Sequence, residues 1–382
     1  MSWGHSVSTD LFHWEHLPVA ISCDETFGIF SGSAVMDYKN TSGFGSIDNP
    51  AMVAIYTAHR HDGTHQSQHI AYSLDEGLTW TKYANNPVLD LSMKDFRDPK
   101  VSWDEATSTW LMAIAKPEEH KIAFFRSSDL KSWQHLSDFG PQGATGGCWE
   151  CPDLFPLTDE DGVTKWVLLV SLNPGGIAGG SGTQYFIGQW DGTSFTPDHQ
   201  DSYWIDYGRD NYAGVTFNNT GERRIFIGWM SNWDYANKYP TQIWRGSMTL
   251  PRTLSLTTVD GVTQLLSTPI RNESTNSEKF LLTTNESSSI TYKNEFGEIT
   301  IGFDSTSKKI YIDRSNGWLG EVDSQRQESP AISATELEIE IFIDHGSLEL
   351  FAPSLALSMT SQHLLSTSGL VRSTRGPLQL HA

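Results

Sequence analysis

The chain has 382 residues, and its 46 Asp and Glu against 26 Lys and Arg give a formal charge of −20. That acidity argues against nucleic acid or an anionic membrane as partner, and 38% hydrophobic residues suffice for two buried cores, which excludes a disordered chain. Fourteen Trp, 18 Phe and 12 Tyr beside 32 Gly and 16 Pro describe strands and turns rather than helices. No apolar run is long enough for a membrane-spanning helix. Met1-Ser2-Trp3-Gly4-His5 lacks the charged start and apolar run of a signal peptide, so a cytoplasmic location is expected if this start is genuine. Sequons at Asn40, Asn218, Asn272 and Asn285 point instead to a secreted, glycosylated parent protein. Cys23, Cys148 and Cys151 are an odd set that builds no disulfide framework, and Cys148-x-x-Cys151 lacks a second ligand pair, so neither metal nor cofactor is expected.

In chain order, a turn pattern repeats. Ser8-Thr9-Asp10 precedes Trp14, Ser73-Leu74-Asp75 precedes Trp80, Ser127-Ser128-Asp129 precedes Trp133, and Asp191-Gly192 with Phe195 is a degenerate fourth copy. Ser and Asp oxygens accept the backbone N–H groups that a tight turn leaves unpaired, so each copy reads as a hairpin turn of structural purpose. The Asp positions are 65, 54 and 62 residues apart, a spacing that suits β-propeller blades. Ser31, Asp98, Glu150 and Tyr212 follow the four turn Asp residues at 21, 23, 21 and 21 positions. That near-constant offset predicts equivalent positions on the inner strands of successive blades, facing one pocket. Converging acids among aromatic rings suit carbohydrate chemistry: a carboxyl of raised pKa protonates a leaving oxygen, another stabilises an oxocarbenium-like centre, and rings stack on sugar faces. The same spacing puts a fifth inward residue before residue 1, so the first blade is expected to be incomplete.

Beyond about residue 255 the Trp density falls and strands alternate cleanly. Glu336 to Ile343, a turn at Asp344 to Ser347 and Leu348 to Phe351 form one hairpin; Ile299 to Phe303 and Ile310 to Ile312 flank another turn. The expected division is therefore a propeller over 1–255 that lacks its first inner strand and a shortened β-sandwich over 256–382.

The segments Trp3-Gly4-His5, Phe30-Ser31-Gly32-Ser33, Phe96-Arg97-Asp98-Pro99-Lys100, Trp149-Glu150-Cys151-Pro152-Asp153 and Ile227-Gly228-Trp229-Met230 resemble glycoside hydrolase family 32, the invertase, inulinase and levanase family. The resemblance implies an all-β protein, a five-bladed β-propeller followed by a C-terminal β-sandwich, cleaving sucrose or fructans with retention. It implies Glu150 as general acid/base, Asp98 as the carboxylate that holds fructose hydroxyls and stabilises the transition state, and Arg97 as its charge partner. Phe30 and Ser31 match a donor-sugar pair, Tyr212 and Trp229 match groups near the acid/base, and Cys151 matches a buried neighbour that tunes Glu150. The family's nucleophilic Asp stands in a WMNDPNG segment that this sequence does not contain; Asp48-Asn49-Pro50 is a faint echo at the wrong place. The chain is therefore expected to be truncated before its nucleophile, which leaves its own activity open. Sucrose or a fructan is the expected partner, a homodimer is left open, and the alternatives are a non-catalytic fructan-binding protein and a sialidase-like propeller, for which only Arg97 supplies an axial arginine.

Overall fold

The computed structural model describes residues 1–241, 246–273, 275–316 and 326–381. Strands β1 (Trp3–Val7) and β2 (Glu15–Ile21) form a two-stranded sheet. The second sheet follows β3 (Phe27–Met36), β4 (Met52–Arg60), β5 (Gln66–Ser73) and β6 (Thr81–Lys82), with β7 (Leu89–Met93) also on β5. The third is β8 (Arg97–Asp104), β9 (Thr109–Lys116), β10 (Lys121–Ser127) and β11 (Gln134–Phe139). The fourth is β12 (Cys148–Thr158), β13 (Thr164–Asn173), β14 (Gly182–Trp190) and β15 (Phe195–Pro197), with β16 (Tyr203–Trp204) on β14. The fifth is β17 (Tyr212–Thr216), β18 (Arg224–Met230), β20 (Arg252–Val259) and β21 (Val262–Pro269), with β19 (Ser247–Met248) on β18. Each sheet is an antiparallel meander, so connections stay short and consecutive strands stay neighbours.

Three of the repeated turns, at Asp75, Asp129 and Asp191, join the third strand of a sheet to the next, and the one at Asp10 joins β1 to β2. Ser127 Oγ accepts the N–H groups of Asp129 and Leu130 at 3.1 and 2.8 Å, and Asp129 accepts those of Lys131 and Ser132 at 2.8 and 2.7 Å. Ser8 with Asp10, Ser73 with Asp75, and Asp191 alone repeat the arrangement. The Trp14 and Trp80 indoles each donate back to the turn, to Leu11 and Gly77 carbonyls. Buried aliphatic and aromatic side chains between neighbouring sheets, such as Ile55, Ile70, Val101, Met112 and Phe125, form the layers that hold the sheets face to face.

Two further five-stranded sheets stack as a sandwich. One runs in the order Leu357–Gln362, Ser347–Ala352, Glu336–Asp344, Glu278–Thr283, Leu378–His381; the other in the order Gln327–Glu328, Lys309–Asp313, Gly297–Asp304, Ser288–Asn294, Val371–Arg375. Inward residues such as Phe280, Ile290, Ile301, Ile312, Ile339 and Leu350 form one core. Both hairpins read from the alternation are present. The division expected at 255 cuts through β20, whose register with β21 continues unbroken from Arg252↔Pro269 to Val259↔Val262.

Candidate functional site

Strands β3, β8, β12 and β17, each the first of its sheet, carry the same irregularity. In β8 the pairs Arg97↔Ala115 and Lys100↔Ala113 leave Asp98 and Pro99 opposite a single residue. Cys151 and Pro152 in β12, Ala213 and Gly214 in β17, and Phe30 and Ser31 in β3 stand in the same relation to their partner strands. A bulge of this kind breaks the ladder and re-aims side chains. Asp98, Cys151 and Ala213 hold φ of 67°, 48° and 53°, a left-handed conformation that non-glycine residues adopt rarely. Gly32 closes the bulge in β3, where a Cβ would stand 2.0 Å from the Ile55 carbonyl oxygen.

The bulges correct the expectation that Ser31, Asp98, Glu150 and Tyr212 occupy equivalent positions. Arg97, Glu150 and Tyr212 are the equivalent set, each the last paired residue before its bulge; Asp98 matches Cys151, and Ser31 matches Pro99 and Pro152. Connections between turn and inner strand differ in length from sheet to sheet, so counting from the turn slips by a residue.

That equivalence explains the contacts. Arg97 Nε donates to Glu150 Oε1 at 3.0 Å across the adjacent sheets, and the Tyr212 hydroxyl donates to Glu150 Oε2 from the other side. Arg97 Nη1 also donates to Asp95 at 2.8 Å. Between two carboxylates, and with Asp98 near, the guanidinium stays firmly charged against the opposing effect of burial. Asp98 is buried, and its Oδ2 accepts the Cys151 N–H at 2.9 Å and the Cys151 thiol at 3.5 Å. Burial, reinforced by the negative charge of Glu150, pushes Asp98 up to about 6 in spite of the Cys151 N–H and Arg97. Burial raises the Cys151 thiol and the Tyr212 phenol well above their usual ranges, and the neighbouring carboxylates add to both shifts. The raised thiol is thus placed as a neutral donor to Asp98.

These groups border a cavity of about 230 Å³ lined by Trp3, Ser31, Asp98, Lys100, Cys151 and Val215 among others. Its lining includes Ser31, Asp98 and Cys151; Glu150 and Arg97 adjoin lining residues. Phe30 stacks on His59 with ring centroids 4.3 Å apart. Trp229 pairs with Tyr212 across β17 and β18, with ring centroids 6.3 Å apart, behind that phenol and away from the cavity lining. Trp3, whose indole donates to the Phe30 carbonyl at 2.8 Å, and buried Lys100, which donates to the Thr216 carbonyl and lies 3.4 Å from Asp153, were not singled out from sequence as site residues. Their adjacency to the Trp-Gly-His and Arg-Asp-Pro-Lys segments was the available signal. Asp48 lies on an exposed loop in the second sheet. A larger cleft of about 960 Å³, between the first sheet, the fifth and the sandwich, is lined mainly by apolar groups such as Phe12, Trp14, Met230 and Phe342 and holds neither Asp98 nor Glu150. Among the described residues no cluster of His, Cys, Asp and Glu is arranged to hold a metal ion, and no helix is long and apolar enough to cross a membrane. The sequon side chain of Asn218 donates to the Ala34 carbonyl at 2.8 Å, while Ser274 of the Asn272 sequon lies outside the described residues.

The chain matches two family models, the glycosyl hydrolases family 32 N-terminal domain over residues 1–269 and the family 32 C-terminal domain over 244–364. It is 39% identical to a levanase of Bacillus subtilis, over 92% of this chain and 58% of that protein, so it spans less than two thirds of that relative. It is 36% identical to an extracellular exo-inulinase of Aspergillus niger, over 98% of this chain and 86% of the relative. The crystal structure of exo-inulinase from Aspergillus awamori superposes with a TM-score of 0.90 at 34% identity, covering 99% of this chain and 87% of that one. A fructofuranosidase from Schwanniomyces occidentalis complexed with fructose superposes at 0.89 with 31% identity, covering 99% and 86%. By sequence and by its propeller-and-sandwich fold, the chain belongs to glycosyl hydrolase family 32.

Proposed function

We propose that this protein is a glycoside hydrolase of the β-fructofuranosidase type, acting on the fructosyl bonds of sucrose or of a fructan. The observation that carries the reading is one carboxylate, Glu150, gripped by the Arg97 guanidinium and the Tyr212 hydroxyl, beside a second, Asp98, buried so as to titrate near 6. In this reading Glu150 delivers the proton to the leaving oxygen and later recovers it from water, as a general acid/base does. Asp98 accepts hydroxyls of the fructosyl ring and, when ionised, opposes the positive charge that develops at the anomeric carbon. Arg97 offsets part of the repulsion between Glu150 and Asp98. Phe30 and Ser31 bound the donor sugar, Cys151 holds Asp98 from behind, and Tyr212 with Trp229 behind it orients Glu150. The propeller, through Pro269, supplies the site, and the following sandwich supports it. Extracellular action, as in the exo-inulinase relatives, fits the exposed sequon at Asn285.

A second reading, binding of a fructosyl group without turnover, is favoured by one observation: Asp98 is the sole carboxylate among the described residues lining the cavity. A retaining reaction needs two carboxyl groups about 5 Å apart in the productive arrangement. Calorimetry with sucrose and a fructo-oligosaccharide, run beside an assay for released fructose, separates the two. Turnover that falls roughly 10²–10⁴-fold in Glu150→Gln, with binding kept, is the expected result for the hydrolase. Binding without turnover supports the second reading, and undiminished turnover in Glu150→Gln overturns the role given to that residue.

A further inference from the structure

The amide of Gln66 is buried between the proposed donor-sugar wall and the proposed catalytic pair. Its Oε1 accepts the Phe96 N–H at 2.7 Å and faces Arg97 Nη1 at 3.5 Å. A backbone N–H can only donate, so the oxygen must stand on that side and the amide nitrogen must stand on the other. Gln66 Nε2 lies 3.2 Å from Nδ1 of His59, its cross-strand partner in β4 and β5. The nitrogen of a carboxamide is a donor, which makes His59 Nδ1 an acceptor and leaves the ring proton on Nε2. The contact with Gln66 thus calls for a neutral His59 with its proton on Nε2. The same ring stacks on Phe30 at 4.3 Å with planes 18° apart.

We propose that Gln66 and His59 are positioning residues that hold Arg97 and Phe30 in place together, and that they do so only while His59 is neutral. The inference rests on the reading of this site as one for a fructosyl group. A protonated His59 presents a donor to a donor, and Gln66 cannot turn its amide over without abandoning Phe96 N–H and Arg97. Acid therefore loosens the Gln66 contact, and with it the alignment of the Phe30 ring and of the guanidinium that grips Glu150. Burial first of all disfavours the His59 cation; of the charged and titratable groups around it, Arg97 and His61 disfavour it further while Asp95 and Asp62 favour it, so its titration is lowered from the usual histidine value. The grip is fully present at neutral pH and is lost as pH falls through that lowered value.

Two measurements on the intact chain test this. Nitrogen-15 NMR of the histidine rings, with His59 assigned by its loss in His59→Phe, is expected to show Nδ1 unprotonated at pH 8. It is also expected to show that preference weakened in Gln66→Leu. A proton on Nδ1 at pH 8 overturns the relay whatever the site binds. Calorimetry with fructose from pH 7.5 to 4.5 then compares wild type with His59→Phe, which keeps a ring against Phe30 and removes the titrating acceptor. Asp98 titrates in both proteins, so the ratio of their affinities isolates His59. That ratio is expected to move against wild type by roughly 3–10-fold as pH falls, the worth of about one hydrogen bond. Equal profiles with fructose bound overturn the relay and leave the site reading intact, whereas fructose binding to neither protein overturns the site reading and the relay's part in it.

Discussion

Asp98 has its carboxyl in a place that water would otherwise make easier: buried, at left-handed φ, and close enough to Glu150 for the two charges to oppose. Such a group costs stability in exchange for chemistry. In the unfolded chain it ionises at about 4, whereas in the fold it ionises at about 6. Folding therefore takes up a proton between those values. The stability this group contributes is fully present below about pH 4 and is lost as pH rises through about 6. Asp98→Asn keeps an oxygen for the Cys151 N–H but never ionises. Its stability relative to wild type is expected to rise from pH 4 to pH 7 by roughly 2–3 kcal/mol, at the order-of-magnitude worth of two pKa units. Thermal melts of the two proteins across that range check it, and a difference independent of pH would contradict the assigned burial penalty.

The turns and the bulges differ in how far sequence reveals them. A Ser-x-Asp turn is local: its oxygens bond N–H groups two to four residues on, so residue spacing alone displays it. A bulge is defined by two strands at once, and the chain from Asp75 to Arg97 includes the extra strand β7, which has no counterpart leading into β12. Counting along one strand therefore found the right neighbourhood and assigned Asp98 and Glu150 to one register when they differ by a residue. Gln66, which touches Arg97, carries no local signal at all, because its role exists only once β5 and β8 meet, whereas Asp95 stands two residues before Arg97. The turns themselves also differ in strength. Ser127 is buried and serves two N–H groups, while the equivalent Ser8 is on an exposed turn. Ser127→Ala strands the buried Leu130 donor away from water and is expected to cost about 1–3 kcal/mol, whereas Ser8→Ala is expected to stay within about 0.5 kcal/mol. Urea unfolding of the two variants beside wild type checks the contrast, and equal losses would mean that burial does not grade these turns.

The propeller and the sandwich are locked through charges that neither sequence half announces. Arg252, in β20, is fully buried; it donates to Asp206 at 3.0 Å and to Glu349, on the sandwich strand Ser347–Ala352, at 2.6 Å. The segment leading into β17 is zipped onto the neighbouring edge strand: Tyr207 N–H and Asp210 N–H donate to the Ser358 and Thr360 carbonyls, and Thr360 and Gln362 N–H groups donate back to Asp206 and Asp210 carboxylates. Tyr212 begins directly after this zip, so the sandwich edge anchors the strand that carries the hydroxyl on Glu150. Partners 46 and 97 residues from Arg252 are invisible to composition or spacing, which is why the sequence shows the two domains without the charges that join them. Removing the cation leaves Asp206 and Glu349 as buried charges, and burial already raises Glu349 above the usual carboxylate range. Arg252→Met is expected to lose about 3–5 kcal/mol, and adding Glu349→Gln is expected to return part of it, because a neutral amide needs no counter-charge. Thirteen of the 14 Trp precede residue 256, so Trp fluorescence follows the propeller while far-ultraviolet circular dichroism follows both sheets and sandwich. In wild type the two signals should unfold together. In Arg252→Met they should separate, with the double variant closer to coincidence; coincident transitions in the single variant would show that the interface holds without this arginine.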